Sequence, residues 1–236
     1  MSSAWFSSSP CGALHVTVHG AGVALRRSGA LWLAAARALV AGDLHLEKGS
    51  AYAARGQLLP PYDTRETLGR LAAEVEQTDP RLIVLLGDTL HDSGGSERMD
   101  RKDILRLVEI ARGRTVLWVV GNHDPEGPGD LPGEAVNEVV LDGLTLRHEP
   151  QPGGQGGEVA GHLHPCARVG GGGRSVRRRC FVSDGARVIL PAFGAYAGGL
   201  NVRDRAFEGL FAQPPIMGAL GARRVHPIGW RSTRPD

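Results

Sequence analysis

Aspartate, asparagine and histidine residues follow short apolar runs at several places between residues 42 and 164. In each case an apolar run ends just before the polar motif, and these motifs are GDLH (42–45), GDTLHD (87–92), GNHD (121–124), His148 and GHLH (161–164). In layered α/β proteins, ligand-binding groups gather beyond the carboxyl ends of the strands. We therefore expect these side chains to converge on one site.

The donor atoms in these motifs are imidazole nitrogens, carboxylate oxygens and one amide oxygen, without a thiolate. This mixture suits Mn, Fe, Zn or a similar divalent ion better than a structural zinc site built from cysteines. The candidate ligands are too many for one ion, but they match two ions that share a carboxylate. Two such ions suit in-line attack on phosphorus by a bridging hydroxide, because both cations offset charge on the phosphoryl oxygens.

Each motif alone also has an ordinary structural explanation. Asp-x-His is common in turns and helix caps, and GNHD is rich in turn-forming residues. The two histidines of GHLH point to the same face of an extended segment, but such pairs are common on solvated strands. It is the combination of motifs, each placed after an apolar run, that favours a metal site.

Apolar runs and helical spacing predict the elements that position these motifs. Two segments have helical spacing, 64–78 with Asp63 or Thr64 as the candidate N-cap, and 100–113 with Ile104, Leu107, Val108 and Ala111 on one face. Strands alternating with helices indicate an α/β or layered α+β domain. The predicted buried strands are 14–18, 38–41, 82–86, 116–120, 144–146 and 187–190.

Length and composition bound the class of protein. The 236 residues suit one domain, and 42% apolar with 22% charged residues is ordinary for a soluble globular chain. The three cysteines form no C-x-x-C pair, which favours a reducing compartment over a disulfide framework. The N-terminus lacks the features of a signal peptide and no apolar run is long enough for a membrane span. We therefore expect a cytoplasmic protein without membrane association.

The formal net charge of +2 conceals an asymmetry between the two parts of the chain. Residues 1–164 carry 15 basic and 21 acidic side chains, a net charge of −6. Residues 165–236 carry 12 arginines and 4 acidic side chains, a net charge of +8. The second part is therefore suited to a polyanionic partner.

The motif series GDLH, GDTLHD, GNHD, His148 and GHLH resembles that of the calcineurin-like metallophosphoesterases. The resemblance implies an α/β (α+β layered) fold, a β-sandwich of two mixed sheets flanked by helices, with a dinuclear metal site at the strand ends. We expect residues 1–236 to form a single domain of this kind. Within it we expect residues 1–12 to be flexible and residues 165–236 to be a basic C-terminal part.

Carried over to this chain, the family pattern implies a role for each ligand. Asp43, His45 and His164 would bind the first metal, and Asp88 would bridge both metals. The second metal would be bound by Asn122, His148 and His162. The two histidines of GHLH would thus serve different ions.

The resemblance also implies groups that act beside the metals. His123 would contact the phosphate and protonate the leaving oxygen or stabilise its charge, held in place by Asp124 or a neighbour. We expect His91 and Asp92 to contact a metal ligand on its side away from the metal and thereby orient it.

A narrower resemblance covers most of the chain. Residues 42–71 (GDLHLEKGSAYAARGQLLPPYDTRETLGRL) and 187–202 (RVILPAFGAYAGGLNV) are similar to the ligase-associated DNA-damage-response endonucleases of bacteria. This similarity implies a phosphodiesterase or endonuclease acting on DNA. It also implies an ATP-dependent DNA ligase, an exonuclease and a helicase as associated proteins. Two divalent ions are expected, Mn first, with Fe, Zn and Mg as alternatives.

Arginines follow the metal motifs closely, at positions 168, 174, 177, 178, 179 and 187. Arginines beside a phosphate-cleaving site suit the backbone of a nucleic acid, although a solvated basic loop is an equal alternative. The predicted nucleic-acid contacts are Lys48, Arg55, Arg174, Arg177, Arg178 and Arg179.

Three functions compete at this point. The first is a DNA phosphodiesterase or endonuclease of DNA repair. The second is a hydrolase of a small phosphate ester, such as a nucleotide or cyclic nucleotide, and the third is a non-catalytic subunit that binds DNA or a repair partner. A pocket closed by residues 150–185 would favour a small substrate and an open basic groove would favour DNA, whereas a missing ligand would favour the third.

Overall fold

Two mixed β-sheets form the frame of the protein. The computed structural model describes residues 6–171 and 174–236. The expectation of a flexible N-terminal segment lies outside the described residues for positions 1–5, while residues 6–8 form a strand. The Gly-rich positions 172 and 173 also lie outside the described residues.

The first sheet contains eight strands among the described residues, in chain order. Its early strands pair antiparallel and its last four pair parallel, so the carboxyl ends of the parallel strands share one edge. The strands are β1 (Phe6–Ser8), β2 (Leu14–Val18), β3 (Ala21–Leu25), β4 (Leu31–Leu33), β5 (Ala38–Ala41), β6 (Leu82–Leu86), β7 (Thr115–Val119) and β8 (Glu134–Val136).

The second sheet follows in the chain. Its strands are β9 (Val139–Leu141), β10 (Leu144–Arg147), β11 (Glu158–Ala160), β12 (Cys166–Gly171), β13 (Arg174–Ser183), β14 (Arg187–Ile189), β15 (Ile216–Leu220), β16 (Val225–Gly229) and β17 (Thr233–Arg234). The order across the sheet is β16-β15-β13-β14-β11-β10-β9, and β12 pairs with β13 and β17 at one side. Strands β10, β11 and β14 run parallel to one another.

The helices lie in the first half of the chain. They are α1 (Lys48–Ala53), α2 (Asp63–Thr78), α3 (Gly95–Arg98) and α4 (Arg101–Ala111), and short 3-10 turns occupy Arg205–Phe207 and Trp230–Ser232. Asp100 caps α4 because its carboxylate accepts a hydrogen bond from the Lys102 backbone nitrogen.

Apolar side chains fill two main layers. Between the sheets, residues such as Leu14, Val84 and Phe181 are fully buried. On the other face of the first sheet, Leu68 of α2 and Leu107 of α4 pack against strand residues. Burying each such side chain contributes about 1.5–3 kcal/mol, so the sandwich and its helical layer hold the strand ends in place.

The predicted fold class is confirmed, since two mixed sheets pack together with helices on the first. Every predicted strand is present within one or two residues, and the predicted helices 64–78 and 100–113 correspond to α2 and α4. The expected buried face of α4 is partly wrong, because Val108 is 42% exposed and Ile110 is buried in its place. The described part of the chain has no helix long and apolar enough to cross a membrane.

Candidate metal centre

The predicted ligands lie where the strands of both sheets end. Asp43 and His45 follow β5, Asp88 follows β6, and Asn122 follows β7. From the second sheet, His148 follows β10, while His162 and His164 follow β11. The parallel parts of the two sheets therefore bring seven donor side chains to one edge of the sandwich.

The first group of donors contains Asp43, His45 and His164, whose ligand atoms lie within 4.8 Å of one another. The Asp43 Oδ1 and His45 Nε2 atoms lie 3.2 Å and 3.3 Å from the His164 Nε2 atom. Asp43 is completely buried and His45 is nearly so. This group has the nitrogen and oxygen donors that a divalent cation accepts.

The second group contains Asp88, His148 and His162, again within 4.8 Å of one another. The His148 Nε2 atom is central, since it lies 3.4 Å from Asp88 Oδ1, 3.1 Å from Asn122 Oδ1 and 3.2 Å from His162 Nδ1. Its other nitrogen, Nδ1, donates to the Leu86 carbonyl oxygen at 3.2 Å, which orients the ring.

Asp88 lies between the two groups and turns one oxygen toward each. Its Oδ1 atom faces His148, and its Oδ2 atom lies 3.9 Å from the His45 Nε2 atom. This is the arrangement that two cations sharing one carboxylate require. The residues present therefore fit a pair of divalent ions.

The imidazoles of the two groups differ in their affinity for protons. Burial, followed by the charge of the neighbouring His164, lowers the pKa of His45 to about 3. Burial also acts to lower the pKa of His148, but its hydrogen bond to Asp88 and the charges of Asp43 and Asp88 together outweigh burial and raise this pKa to about 9. Burial acts to raise the pKa of Asp88, but its contacts with His148 and His123 together outweigh burial and lower this pKa.

Five of these ligands have a left-handed backbone, with φ between 45° and 68°: Asp43, His45, Asp88, His162 and His164. Such angles are uncommon outside glycine, and asparagine, aspartate and histidine adopt them most readily. They mark sharp turns that carry each side chain away from the strand end and into the site.

Glycines in the motifs allow the turns to approach one another closely. A β-carbon at Gly161 would lie 2.6 Å from Asp43 Oδ2, and one at Gly121 would overlap the Asp88 backbone nitrogen. The glycine of one motif thus packs on the ligand of another. This explains why glycine precedes the polar residues at both positions.

The sequence profile of the calcineurin-like phosphoesterases matches residues 36–188, which is more than half of the chain and spans every candidate ligand. The chain belongs to this family. It is accordingly a metal-dependent phosphoesterase, a hydrolase.

Solved structures also match this chain. The crystal structure of the Pseudomonas putida nuclease MPE is similar to this phosphoesterase with a TM-score of 0.69 and 28% sequence identity, over 92% of this chain and 100% of that one. Yfce, a phosphoesterase from E. coli, matches with a TM-score of 0.39 and 17% identity, over 81% of this chain and 98% of that one. No curated protein sequence matches this chain.

His123 lies beside the ligands of the phosphoesterase without belonging to either group of donors described above. Its Nδ1 atom donates to the His91 carbonyl oxygen at 2.7 Å, so Nε2 remains free to face the site, 3.9 Å from Asp88 Oδ2. Its backbone nitrogen donates to Asp88 Oδ1. The side chain is 37% exposed and can therefore be reached by a substrate.

Of the two partners expected for His123, Asp124 or a neighbour, the structure shows the neighbour, through the His91 carbonyl oxygen. The Asp124 Oδ2 atom accepts hydrogen bonds from the backbone nitrogens of Thr89 and Leu90, and its Oδ1 atom accepts from Gly121. The carboxylate is 2% exposed. Asp124 is thus a positioning residue that joins the turn after β6 to the turn after β7. The His91 carbonyl oxygen, and not the Asp124 carboxylate, holds the His123 ring.

His91 and Asp92 have separate surroundings. The His91 ring stacks on His123 at 5.3 Å, and its Nδ1 atom lies 3.5 Å from the His45 Nδ1 atom. Asp92 pairs instead with Arg98 at 2.6 Å, and Arg98 also donates to Ser50 of α1. The Asp92 carboxylate thus holds Arg98, which ties α3 to α1, and the role predicted for Asp92 in orienting a ligand stays a prediction.

Lys48 and Arg55 lie near His91 at one side of the site. Burial, and then the positive charge of Lys48, lower the pKa of His91 to about 4, with a smaller contribution from Arg55. The Lys48 Nζ atom lies 5.8 Å from the centre of the Tyr52 ring, which is itself 5.9 Å from the His91 ring. Both cations therefore lie at a side of the site from which they would attract a phosphate bound at the metals.

The predicted arginine contacts divide into exposed and structural residues. Arg174, Arg177 and Arg178 are exposed on β13. Arg179 donates to four backbone carbonyl oxygens, those of Ala192, Gly194, Ala195 and Ala197. Its hydrogen-bonding groups hold the loop 190–200, so the prediction of direct contact between its guanidinium and DNA does not fit this geometry.

Arg187, also counted among the clustered arginines, is fully buried. Its guanidinium donates to the carbonyl oxygens of Gln151 and Gly153 and lies 3.3 Å from a Glu158 carboxylate oxygen. It therefore holds the loop after β10, and it is unavailable to DNA.

Sequence reasoning missed the network that fixes α1 beside the metal ligands. The Glu47 backbone nitrogen donates to Thr64 Oγ1, whose hydroxyl donates back to the Glu47 carboxylate. Asp63 accepts a hydrogen bond from the Gly49 nitrogen. The expectation that Asp63 or Thr64 caps α2 is wrong for this reason, since both side chains are used by the segment after His45 and α2 has no side-chain cap.

Proposed function

We propose that this chain is a dinuclear-metal-dependent phosphodiesterase and endonuclease that acts on DNA in bacterial DNA repair. The observation that carries the proposal is the pair of donor groups joined by Asp88, with His123 Nε2 facing the bridging carboxylate. The likeness to a nuclease over nearly the whole of both chains supports a nucleic acid as the substrate, and the resemblance to the ligase-associated endonucleases favours DNA.

Asp43, His45 and His164 would hold one divalent ion, and Asn122, His148 and His162 the other, with Asp88 shared. When bound, two such ions activate water as a nucleophile at neutral pH and offset charge on the phosphoryl oxygens. Mn is the first candidate because nitrogen and carboxylate donors occur together here, and Fe, Zn and Mg remain alternatives.

The chain's own residues would complete the reaction. His123 keeps one proton on Nδ1, fixed on the His91 carbonyl, and in its doubly protonated form presents Nε2–H to the leaving oxygen. The Nε2 proton passes to that oxygen as the ester bond breaks, which leaves the ring neutral. Lys48 and Arg55 would attract the phosphodiester to this side of the site.

A small phosphate ester is the alternative substrate. It would be favoured by a pocket closed over the metals by residues 150–185. Instead, β12 and β13 form a hairpin that joins the second sheet, and Arg177 and Arg178 lie exposed on it. This arrangement supports a long polyanion. A non-catalytic role has less support because every expected ligand is present.

The repair setting is a further part of the proposal. A cytoplasmic enzyme that nicks DNA would work with an ATP-dependent DNA ligase, an exonuclease and a helicase, as the family resemblance implies.

The test compares hydrolysis of bis-p-nitrophenyl phosphate with that of p-nitrophenyl phosphate by Mn-loaded protein, with supercoiled and single-stranded DNA in parallel. We expect cleavage of the diester and nicking of DNA, both lost in Asp88→Asn. Asp142→Asn makes the same change in an exposed turn and should retain activity. Hydrolysis of p-nitrophenyl phosphate without any cleavage of DNA would contradict the proposed substrate.

A further inference from the structure

Arginines make up half of the residues that line a cleft outside the metal centre. The cleft has a volume of about 520 Å³ and lies between the β3–β4 turn, the middle of α2 and β13. We name it the arginine cleft, after its lining residues Arg27, Arg70, Arg177, Arg178 and Arg179. Two of these, Arg27 and Arg70, are far in sequence from the arginine-rich hairpin.

Positive charge in the arginine cleft exceeds the negative charge that could cancel it. Arg70 pairs with Glu66, and Arg177 lies 3.3 Å from an Asp236 carboxylate oxygen. Arg27 donates only to a backbone carbonyl, that of Ala222, and Arg178 has no hydrogen-bond or ion-pair partner in the described part of the chain.

The only carboxylate lining the cleft, among described residues, is that of Glu74, and it is already paired with Arg26 at 2.6 Å. Arg26 also donates to Gln77. The acid on the cleft wall therefore neutralises a neighbouring arginine and none of the five arginines that line the cleft.

Two guanidinium groups of the cleft are held close together by the backbone. Arg179 donates to four carbonyl oxygens and Arg70 donates to the Phe193 carbonyl oxygen. Burial, followed by the positive charge of Arg70, lowers the pKa of Arg179. An anion in the cleft would offset this repulsion between like charges without any rearrangement of the side chains.

The cleft is connected to the metal centre through a single loop. Arg179 donates to the Gly194 carbonyl oxygen, and the Gly194 nitrogen donates to the carbonyl oxygen of the metal-ligand candidate Asp43. On the same loop, Arg70 donates to Phe193, whose nitrogen donates to the Gly42 carbonyl. One layer of backbone thus separates the cleft from the ligands.

We propose that the arginine cleft binds phosphates of a DNA strand whose scissile phosphate lies at the metal centre. The proposal rests on the proposed DNA phosphodiesterase function and extends it, because it gives the strand a second contact beyond loop 190–200. None of the described residues that line the cleft is aromatic, so the cleft would hold the DNA backbone without stacking bases. Arg27 and Arg178 provide the free donors, and Arg70 and Arg179 provide fixed charge.

The test removes the two free donors together. In Arg27→Ala/Arg178→Ala we expect kcat/KM to fall for a 30-nucleotide DNA strand. This loss should be about tenfold greater than any loss for bis-p-nitrophenyl phosphate. For DNA binding, measured in the Asp88→Asn background, the slope of log K against log salt should fall by about 1.4, since each phosphate contact on a single strand contributes about 0.7. Arg178→Glu, which reverses one charge, should weaken binding further than Arg178→Ala.

The matched control, Arg81→Ala/Arg106→Ala, removes two exposed arginines elsewhere and should leave the salt slope near that of the parent. The cleft proposal alone would be overturned if the wild-type protein cleaves DNA but the salt slope of the cleft variant equals that of the control. Wild-type protein that hydrolyses bis-p-nitrophenyl phosphate but neither binds nor cleaves DNA would overturn the proposed function. Loss of inorganic phosphate binding with unchanged DNA binding would make the cleft a small-anion site and overturn this inference.

Discussion

The Nδ1 atom of His123 donates to the carbonyl oxygen of His91 across a distance of 2.7 Å. This bond keeps a proton on Nδ1 and aims Nε2 at the carboxylate of Asp88. When Nε2 also carries a proton, the imidazolium is placed to donate it beside the candidate metal ligands, and the ring that remains is neutral with its proton on Nδ1.

Replacing His123 with alanine should therefore reduce turnover while the metals stay bound. The expected loss in kcat is about 10²–10⁴-fold, as for other general acids. Activity on bis-p-nitrophenyl phosphate and Mn content by elemental analysis would be measured together. His15→Ala, on an exposed position of β2, serves as the control. Loss of Mn from the His123 variant would mean that this histidine is a ligand.

Mn binding should depend on pH at the second donor group more than at the first. His148, with its pKa raised to about 9, is protonated at neutral pH in the metal-free protein, and it must release this proton to bind a cation. His45, with its pKa lowered to about 3, has no proton to release. Affinity at the second group should thus fall about tenfold for each pH unit below 9.

Calorimetric titration with Mn²⁺ at pH 6, 7 and 8, in buffers of different ionisation enthalpy, would measure this proton release. We expect two Mn²⁺-binding steps. The step at the second donor group should be weak at pH 6 and gain affinity as the pH rises, while the affinity of the other step stays nearly constant. Two steps that weaken in parallel would contradict the assignment of the proton to His148.

Substitution of Gly121 by alanine should disrupt the centre. The added β-carbon would overlap the backbone nitrogen of Asp88, so the turn carrying the bridging carboxylate must shift. We expect loss of Mn binding and of activity, with thermal unfolding at a lower temperature. Gly69→Ala is the matched control, because Gly69 lies within α2 and an added β-carbon would meet no atom within 4 Å. Alanine is also more favourable than glycine inside a helix by about 1 kcal/mol. Normal Mn affinity in the Gly121 variant would refute this packing argument.

Asp124→Ala should destabilise the protein in addition to impairing catalysis. Three buried backbone N–H groups lose their acceptor, and each unpaired donor costs about 1–3 kcal/mol. Urea unfolding of the metal-free protein would measure this effect, with the exposed Asp130→Ala as reference. A variant with unchanged stability but little activity would instead indicate that Asp124 acts directly on His123.

The strands and the ligand positions could be predicted because both depend on local sequence. Apolar runs such as 82–86 are long enough to identify a buried strand, and a polar motif directly after the run must lie at the strand's end. The two groups of donors then follow from parallel pairing of neighbouring strands.

The roles of Asp124 and the arginines could not be predicted in this way. Asp124 follows His123 in sequence, yet its carboxylate is taken up by backbone groups of another turn. Arg178 and Arg179 are adjacent, but alternation along β13 points one to solvent and the other to the carbonyls of loop 190–200. Such differences depend on contacts between segments that are distant in the chain.

The left-handed turns at five candidate ligands set local backbone stability against metal binding. These backbone angles would be relaxed by glycine, so replacing a residue such as His164 by glycine would ease the local conformation while removing the candidate metal donor. A chain optimised only for stability in the metal-free state would therefore lose its donor atoms, and the same side chains that strain the empty protein are those that a bound cation would stabilise.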